Sequence, residues 1–314
     1  MTEAPATSVH GRRLDLLDAV IYADVFDCAV TLDELWRYSR TELGREALVI
    51  NLREDPFLAG IVLERGGFYC LYGREDLVAE RPARIERARR LERRARRVAR
   101  VVRHLPFIRG LALTGSAAAR DAGEGADADM LVVVAEERLG MVFFMLASAS
   151  RLLGRRILCP NYYVREGLFP PGRGNLYQAR ELAQARNLLT DAPPGRDGLG
   201  WVNELLPNAR VQTAPESCRA TRVQRLLERS LRGRLGDRLE RAGRRVALAR
   251  LRAHHGGAGE RVPPEVREDF VAGRALRFHR GRVEETTLER YRERRAEVAR
   301  RLEWLAREGA RGAA

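Results

Sequence analysis

The residues best suited to chemistry lie close together between positions 110 and 135. A Gly-Ser pair, Gly115 and Ser116, follows a short apolar run, and two aspartates, Asp127 and Asp129, precede a longer one. Two apolar runs separated by small residues and glycines predict a strand, a tight turn, a short helix, a loop and a second strand. Residues two apart on a strand point to the same side, so the two carboxylates are expected to lie side by side.

These residue types predict a site for a metal-bound nucleoside triphosphate. Paired carboxylates provide the oxygen ligands that Mg²⁺ prefers. Gly115 allows the backbone to approach a ligand closely, and the helix that starts there offers unpaired N–H groups to phosphate oxygens. The simpler alternative is a β-turn followed by two solvated aspartates at the mouth of a strand, with no bound ligand.

The same residues resemble a known signature. A Gly-Ser turn, ten further residues and then Asp-x-Asp entering an apolar strand is similar to the motif of the polymerase-β-type nucleotidyltransferases. The resemblance implies that Gly115 and Ser116 contact the triphosphate of a nucleotide substrate. It also implies that Asp127 and Asp129 are catalytic metal ligands, with Mg²⁺ or Mn²⁺ as the cofactor.

The next predicted strand, residues 155 to 164, departs from that motif. Members of the family usually carry a third carboxylate on this strand, and this sequence has none there. Asn161 is the nearest polar residue and is the third catalytic candidate, although an amide cannot act as a base at neutral pH. Glu166, just beyond the strand, is the alternative base. The missing acid puts polymerase-like catalysis in doubt, because an acid in this place commonly activates the attacking hydroxyl.

The composition favours an anionic partner. The chain has 314 residues, of which 57 are basic and 43 acidic, for a formal net charge of +14. A positive balance attracts nucleotides and nucleic acid. The sequence contains no lysine, however, which indicates compositional bias in the source genome and weakens any argument from arginine enrichment alone. The arginine-rich helices therefore suggest non-specific nucleic-acid contact only as a minor alternative to a solvated surface.

Cysteine usage and apolar segments indicate the class of protein. The four cysteines lie far apart without a C-x-x-C pair, which argues against a zinc site and a disulfide framework. The first residues contain no apolar core of a signal peptide. The longest apolar run, residues 141 to 147, is much too short to span a bilayer. A cytoplasmic protein without a membrane partner is expected.

The pattern along the chain predicts an α+β protein with four segments. A winged-helix-like domain is expected over residues 1 to 80 and a basic connecting helix over residues 81 to 105. A nucleotidyltransferase-like domain with a mixed sheet is expected over residues 106 to 210, and a basic helical region over residues 211 to 314. Winged helices often read DNA, but bases and acids balance near the predicted third helix, so a structural role is favoured.

Within these segments the periodicity predicts individual elements. A β-hairpin is expected around Gly66 and Gly67, helices over residues 81–104, 139–153, 176–189, 217–255 and 284–306, and a linker over residues 256–264. Cys159-Pro-Asn-Tyr, Glu181-Leu-Ala and Trp201 with Leu206-Pro-Asn resemble a group of uncharacterised prokaryotic proteins. These proteins combine an N-terminal winged helix with a nucleotidyltransferase-like centre, so the resemblance implies a fold but no substrate.

Three functions remain open from the sequence. The leading hypothesis is an enzyme that moves a nucleotidyl group from a nucleoside triphosphate to an unknown acceptor, which is a small molecule, a protein or RNA. The main alternative is a catalytically degenerate protein that binds nucleotides or nucleic acid. The third is a DNA-binding regulator that acts through the winged helix. The intact Gly-Ser and Asp-x-Asp pair favours the first, and the missing third carboxylate favours the second.

Overall fold

The protein combines many helices with two separate sheets. The computed structural model describes residues 9–153, 158–168, 174–189, 200–211, 220–256, 262–278 and 282–312. In this part of the chain one sheet is three-stranded and antiparallel, and the other is five-stranded and mixed. The α+β class expected from the sequence is therefore confirmed. No helix among these residues has both the length and the apolar character needed to cross a membrane.

The N-terminal unit contains several short helices and the smaller sheet. Thr31 begins the second helix with a capping box, because its side chain accepts the N–H of Glu34 while the Glu34 carboxylate accepts the N–H of Thr31. Gly66 and Gly67 both have positive φ angles and form the tight turn of the hairpin. The elements are α1 (Val9–Asp24), β1 (Val30–Thr31), α2 (Leu32–Arg37), α3 (Arg45–Glu54), α4 (Pro56–Ala59), β2 (Val62–Arg65) and β3 (Phe68–Leu71).

The basic helix α5 (Asp76–Val102) is longer than its sequence predicted. The expectation that it starts at residue 81, with Pro82 in its first turn, is wrong, since Pro82 lies inside the helix. Proline inside a helix removes one backbone hydrogen bond, here the bond to the carbonyl of Val78. Pro82 itself is exposed. Among the apolar residues of α5, Ala88, Ala95, Ala99 and Val102 are buried, whereas Val101 is exposed.

The central sheet has the strand order β7-β4-β5-β6-β8. Its central strand runs antiparallel to β4 and parallel to β6, and the two outer strands are antiparallel to their neighbours. Residues 130 to 134 of that central strand are all buried, as expected for a strand covered on both faces. The strands are β4 (Ile108–Leu113), β5 (Asp129–Val134), β6 (Cys159–Arg165), β7 (Arg186–Asn187) and β8 (Ala275–Arg277).

Helices cover both faces of this sheet. Leu111, Leu113 and Val132 face one hydrophobic core, whereas Leu131 and Val133 face a second core that continues into the N-terminal unit. The covering helices and those that follow are α6 (Gly115–Ala118), α7 (Leu139–Leu153), α8 (Leu176–Gln184), α9 (Gly200–Leu205), α10 (Arg222–Ser230), α11 (Arg234–Gly256), α12 (Pro264–Val271) and α13 (Arg282–Gly312).

Two predicted helices are too long. The helix expected over residues 176–189 ends at Gln184, because residues 186 and 187 pair with the edge of β4 as β7. Hydrogen bonds to an otherwise open sheet edge thus prevail over local helix preference. The helix expected over residues 217–255, in which glycines favoured a kink or a break, is divided into α10 and α11, and Gly233 between them has a φ of 111°. That angle is open to glycine and interrupts the helical backbone.

Other elements differ in extent. Helix α12 and strand β8 were not expected from the sequence. Residues 275–277 of β8 pair with β6 at the edge of the sheet. Helix α7 has the predicted limits, and α13 begins two residues earlier and ends later than predicted. Residues 257–261, which make up most of the predicted linker, lie outside the described residues.

Candidate functional site

The Gly-Ser turn and Asp129 meet because β4 and β5 are antiparallel neighbours. Leu113 at the end of β4 is paired with Met130 near the start of β5, and the Thr114 N–H donates to the Asp129 carbonyl at 2.9 Å. Gly115 has a φ of 64°, and a Cβ atom there would lie 2.7 Å from Oδ2 of Asp129. Only glycine permits this approach of the turn to the carboxylate.

The two aspartates differ in their surroundings. Asp129 is the first residue of β5, whereas Asp127 precedes the strand, with Ala128 fully buried between them. Both aspartates are half-buried. Burial, together with the charge of Asp127, raises the pKa of Asp129 to about 6, although a hydrogen bond with the Cys159 thiol opposes the shift. The negative charge of Asp127 is therefore close enough to act on Asp129.

Asn161 lies beside Asp129. The register of β5 and β6 shifts at this place, since Met130 is paired with Pro160 and Leu131 with Tyr162. Asn161 is the extra residue of this bulge, and its Nδ2 donates to Oδ1 of Asp129 at 2.8 Å. Its own Oδ1 is buried without a hydrogen bond among the described residues. A buried carbonyl oxygen that lacks a donor is a suitable ligand for a hard cation.

Glu166 is at the other end of the sheet. Its N–H donates to the carbonyl of Val134, the last residue of β5, and its carboxylate pairs with Arg109 at 3.4 Å. Five residues of strand separate Val134 from Asp129, which corresponds to about 17 Å. The expectation that Glu166 could replace the missing base is therefore wrong.

Glu181 on α8 is the carboxylate that the sequence did not assign to the site. Burial, together with the charge of Asp129, raises its pKa to about 7, although the nearby N–H of Gly115 opposes the shift. It lies next to the buried Leu182 and Ala183 on the amphipathic helix. A charged residue at the border of an apolar stripe was the only signal for it in the sequence, and this signal is weak.

Ser116 and Arg186 form the outer side of the turn. Ser116 is exposed in the single-turn helix α6. Arg186 is half-buried in β7, and its Nε donates to the carbonyl of Ala118 at 3.0 Å. A helix of one turn has little dipole of its own, so the cation of Arg186 and the serine hydroxyl would bind phosphate more effectively than the helix end.

The donor set fits a magnesium ion that arrives with its substrate better than a permanently bound metal. Within the described ranges, no group of three or more His, Cys, Asp or Glu side chains is arranged to hold a metal ion. Asp127, Asp129 and the carbonyl oxygen of Asn161 provide fewer ligands than an all-protein cage requires. Mg²⁺ is commonly bound by one or two carboxylates together with substrate phosphates.

Comparisons with known proteins add no assignment to this geometry. A scan against models of protein families finds no match, and searches of curated proteins and of solved structures find no match either. The resemblance to nucleotidyltransferases therefore rests on the residues of the chain alone.

Proposed function

We propose that the protein transfers a nucleotidyl group from a nucleoside triphosphate to an acceptor. The observation that carries this proposal is the meeting of Gly115, Asp129 and Asn161 at one end of β4, β5 and β6. A left-handed glycine against a carboxylate, beside an amide oxygen without a partner, provides room and ligands for a metal-bound phosphate.

The proposed reaction forms one bond and breaks another. The acceptor oxygen bonds to the α-phosphorus, the bond between this phosphorus and the α–β bridging oxygen breaks, and diphosphate leaves. Asp127 and Asp129 are the residues that would hold a magnesium ion, and a bound ion would supply positive charge beside the phosphate oxygens. Ser116 and Arg186 orient the departing phosphates. Of the described carboxylates, Glu181 is the one that lies beside both Gly115 and Asp129, and it replaces the missing third acid as the group nearest the acceptor proton.

Binding of ATP and GTP in the presence of Mg²⁺ is the first test. The double variant Asp127→Asn/Asp129→Asn removes both negative charges while it preserves the shape of the side chains. We expect isothermal titration calorimetry to show Mg²⁺-dependent binding to the wild type and a loss of at least about tenfold in the variant, as for removal of charged ligands. Glu136→Gln is the control, because Glu136 is exposed just beyond the opposite end of β5.

Equal affinity for the nucleotide in the wild type and the double variant would show that the two aspartates do not contribute to its binding. Absence of nucleotide binding to the wild type would remove the proposed function itself.

A nucleotide-binding protein without transferase activity is the second candidate. It is favoured by the absence of an acid on β6, which leaves that strand without a general base. Release of diphosphate from an α-labelled triphosphate distinguishes the two. Binding without any diphosphate release or labelled product supports this second candidate.

We further propose that the N-terminal unit is winged-helix-like and has a structural role. Helix α3 exposes two bases, Arg45 and Arg53, together with two acids, Glu46 and Glu54. Specific reading of a duplex needs bases that position the protein on phosphates as well as contacts to base edges. Helix α3 also belongs to a unit in which α13 packs against α1, and this packing is consistent with a structural role.

DNA binding is therefore expected to be weak, salt-sensitive and independent of sequence. Neutralising Arg89 and Arg97 on the exposed side of α5 should reduce it, whereas the matched change of Arg45 and Arg53 should have little effect. Fluorescence anisotropy with several duplexes at two salt concentrations tests this. A preference of orders of magnitude for one duplex at physiological salt would show a specific DNA reader instead.

A further inference from the structure

Helix α10 is turned so that its polar side faces the protein. Gln224 and Glu228 are buried, and the Nε2 atom of Gln224 donates to the Ile108 carbonyl at 2.6 Å. The large apolar residues of this helix lie on its outer side and are 41–62% exposed, namely Val223, Leu226 and Leu227. Single exposed apolar side chains are common on proteins, whereas a group of them on one face of a helix indicates an interaction surface.

Helix α11, which follows, exposes a second apolar row with a regular spacing. Its six members are separated by four and three residues in alternation and are all exposed, namely Leu235, Leu239, Ala242, Val246, Ala249 and Ala253. This spacing is typical of a helix that packs along a second helix, because it keeps one narrow stripe facing the partner. The packing of α11 on α7 is made through other residues, since a Cβ atom at Gly243 would lie 2.2 Å from the carbonyl oxygen of Gly140. We call the six exposed residues the α11 seam.

A groove lies beside the seam, between α7 and α11. It has a volume of about 560 Å³. Phe144, Ala147 and Ser148 line it on the side of α7, and Val246, Ala249 and Ala253 of the seam line it on the side of α11. Phe144 is 49% exposed, so its ring is open to a ligand in the groove. A groove bordered by small and apolar residues is the kind of surface that receives an amphipathic helix.

Arginines without an ion partner border the other flank of the seam. Arg238, Arg245 and Arg252 are exposed, and each directly precedes a seam residue. None of the three forms an ion pair with another residue that the structure describes. Arginines of α13 differ, since Arg294 pairs with Asp24 and Arg295 with Asp15. The positive charge along the seam is therefore available to acidic groups of a partner.

The spacing and the charge of this surface narrow the choice of partner. Two copies of the chain that met here by twofold symmetry would set the same arginines against each other. An anionic membrane would require neither the regular spacing nor the small residues, which allow a helix to approach closely. We propose that the α11 seam and its groove bind an amphipathic helix of another protein, with its apolar side against Phe144 and the seam and acidic side chains against the arginines. This docking surface does not depend on the proposed transferase function.

Two synthetic peptides test the docking surface on the full-length protein. Both have 23 residues, the length of α11, and leucine at the apolar positions of a heptad repeat. One carries glutamate and the other lysine at the flanking positions. We expect fluorescence anisotropy to show binding of the glutamate peptide at least about tenfold tighter than binding of the lysine peptide.

Substitutions in the seam should remove this binding without unfolding the protein, because the substituted residues are exposed. Val246→Glu should weaken binding of the glutamate peptide at least about tenfold, whereas Val9→Glu, at an exposed valine of α1, should not. Arg245→Gln/Arg252→Gln should also weaken it, and Arg89→Gln/Arg97→Gln on the exposed side of α5 is the matched control. Circular dichroism melts of all variants measure whether the fold is retained.

Several results would overturn the proposal. These are no binding of the glutamate peptide, equal binding of both peptides, and an equal loss in the control variants. Sedimentation with phosphatidylcholine–phosphatidylserine vesicles that Val246→Glu abolishes, without peptide binding, would show a membrane-binding surface instead. A dimer in analytical ultracentrifugation that Val246→Glu dissociates, again without peptide binding, would show a contact between two copies of the chain.

Discussion

At the residue scale, the site depends on contacts between side chains that are remote in sequence. The Gly-Ser turn and the Asp-x-Asp pair were identifiable because each is local and because antiparallel strands return the chain to the same edge. The neighbourhood of Asn161 and Asp129 follows from parallel pairing of β5 and β6. Glu181 could not be assigned to the site from the sequence. Its place beside Gly115 and Asp129 depends on the packing of α8 against the turn, and no short motif predicts that packing.

Asn161→Asp tests the missing third acid. The substitution removes the Nδ2 donor and places a second carboxylate against Asp129, so like charges should lower the melting temperature without divalent ions. Addition of Mg²⁺ should restore stability, and transfer activity should rise, since a general base contributes ~10²–10⁴-fold. Thermal melts with and without Mg²⁺, together with diphosphate release, measure both effects.

Asn161→Ala is the control for this variant, because it removes the same hydrogen bond without adding a charge. A wild-type activity that Asn161→Asp abolishes would contradict the expectation and would leave Glu181 as the residue to test by Glu181→Gln.

At the element scale, most helices and strands follow from periodicity, and the exceptions have identifiable causes. Residues 186 and 187 pair with β4 although their segment reads as helix, because the edge of β4 needs hydrogen-bond partners. Pro82 lies inside α5 although proline usually begins a helix. Both exceptions depend on tertiary surroundings, which local periodicity does not contain.

Helix α10 is attached to β4 through a buried carboxylate. Glu228 is 4% exposed and accepts hydrogen bonds from the Phe107 N–H at 2.8 Å and from Arg109 at 2.6 Å. Burial alone would raise the pKa of Glu228, but these donors and the arginine charge outweigh burial and lower it. The charged form is therefore the one that stabilises the folded state.

Glu228→Gln should lower the free energy of unfolding by about 1.5–3 kcal/mol at pH 7. Since the folded pKa lies below the unfolded value of 4.5, the stabilisation is present above pH 4.5 and is lost as the pH falls through the folded pKa. Urea unfolding of both proteins between pH 7 and pH 3 should show the difference shrinking towards acid. Gln224→Ala removes a neutral contact to the Ile108 carbonyl, so its effect should not change with pH, and a constant effect of Glu228→Gln would exclude the ionic explanation.

At the scale of the whole molecule, the predicted segments share their cores. The hydrophobic core that contains α1 also contains Ala112, Leu131 and Val133 of the central sheet and Tyr291, Val298 and Leu302 of α13. Arg81 is 1% exposed and joins these parts, because it donates to Glu34 of α2 and to the Arg120 carbonyl behind α6. Sequence patterns predicted the segments. They did not predict the contacts between the segments, because residues that are far apart in the chain leave no periodic signal.

Arg81→Met should destabilise the protein by about 3–5 kcal/mol, because Glu34 and Asp121 lose a buried partner. In this variant we also expect the N-terminal unit and the central sheet to unfold in separate transitions. Guanidinium unfolding followed by tryptophan fluorescence and by far-UV circular dichroism should therefore coincide for the wild type and diverge for the variant. Arg90→Met, on the exposed side of the same helix, should leave the transitions coincident, and a coincident transition of unchanged midpoint in Arg81→Met would refute the linking role.

The packing of α13 on α1 has a consequence for synthesis of the protein on the ribosome. Asp18 of α1 is fully buried and bonds with Tyr291 and Arg295 of α13, and Tyr291 and Asp18 are 273 residues apart in the chain. Translation at ~5–20 residues per second separates their emergence by about 15–55 s. During that interval the apolar surface of α1 that α13 later covers is open to water. The nascent chain thus exposes an apolar surface that is covered only when the last helix has been made.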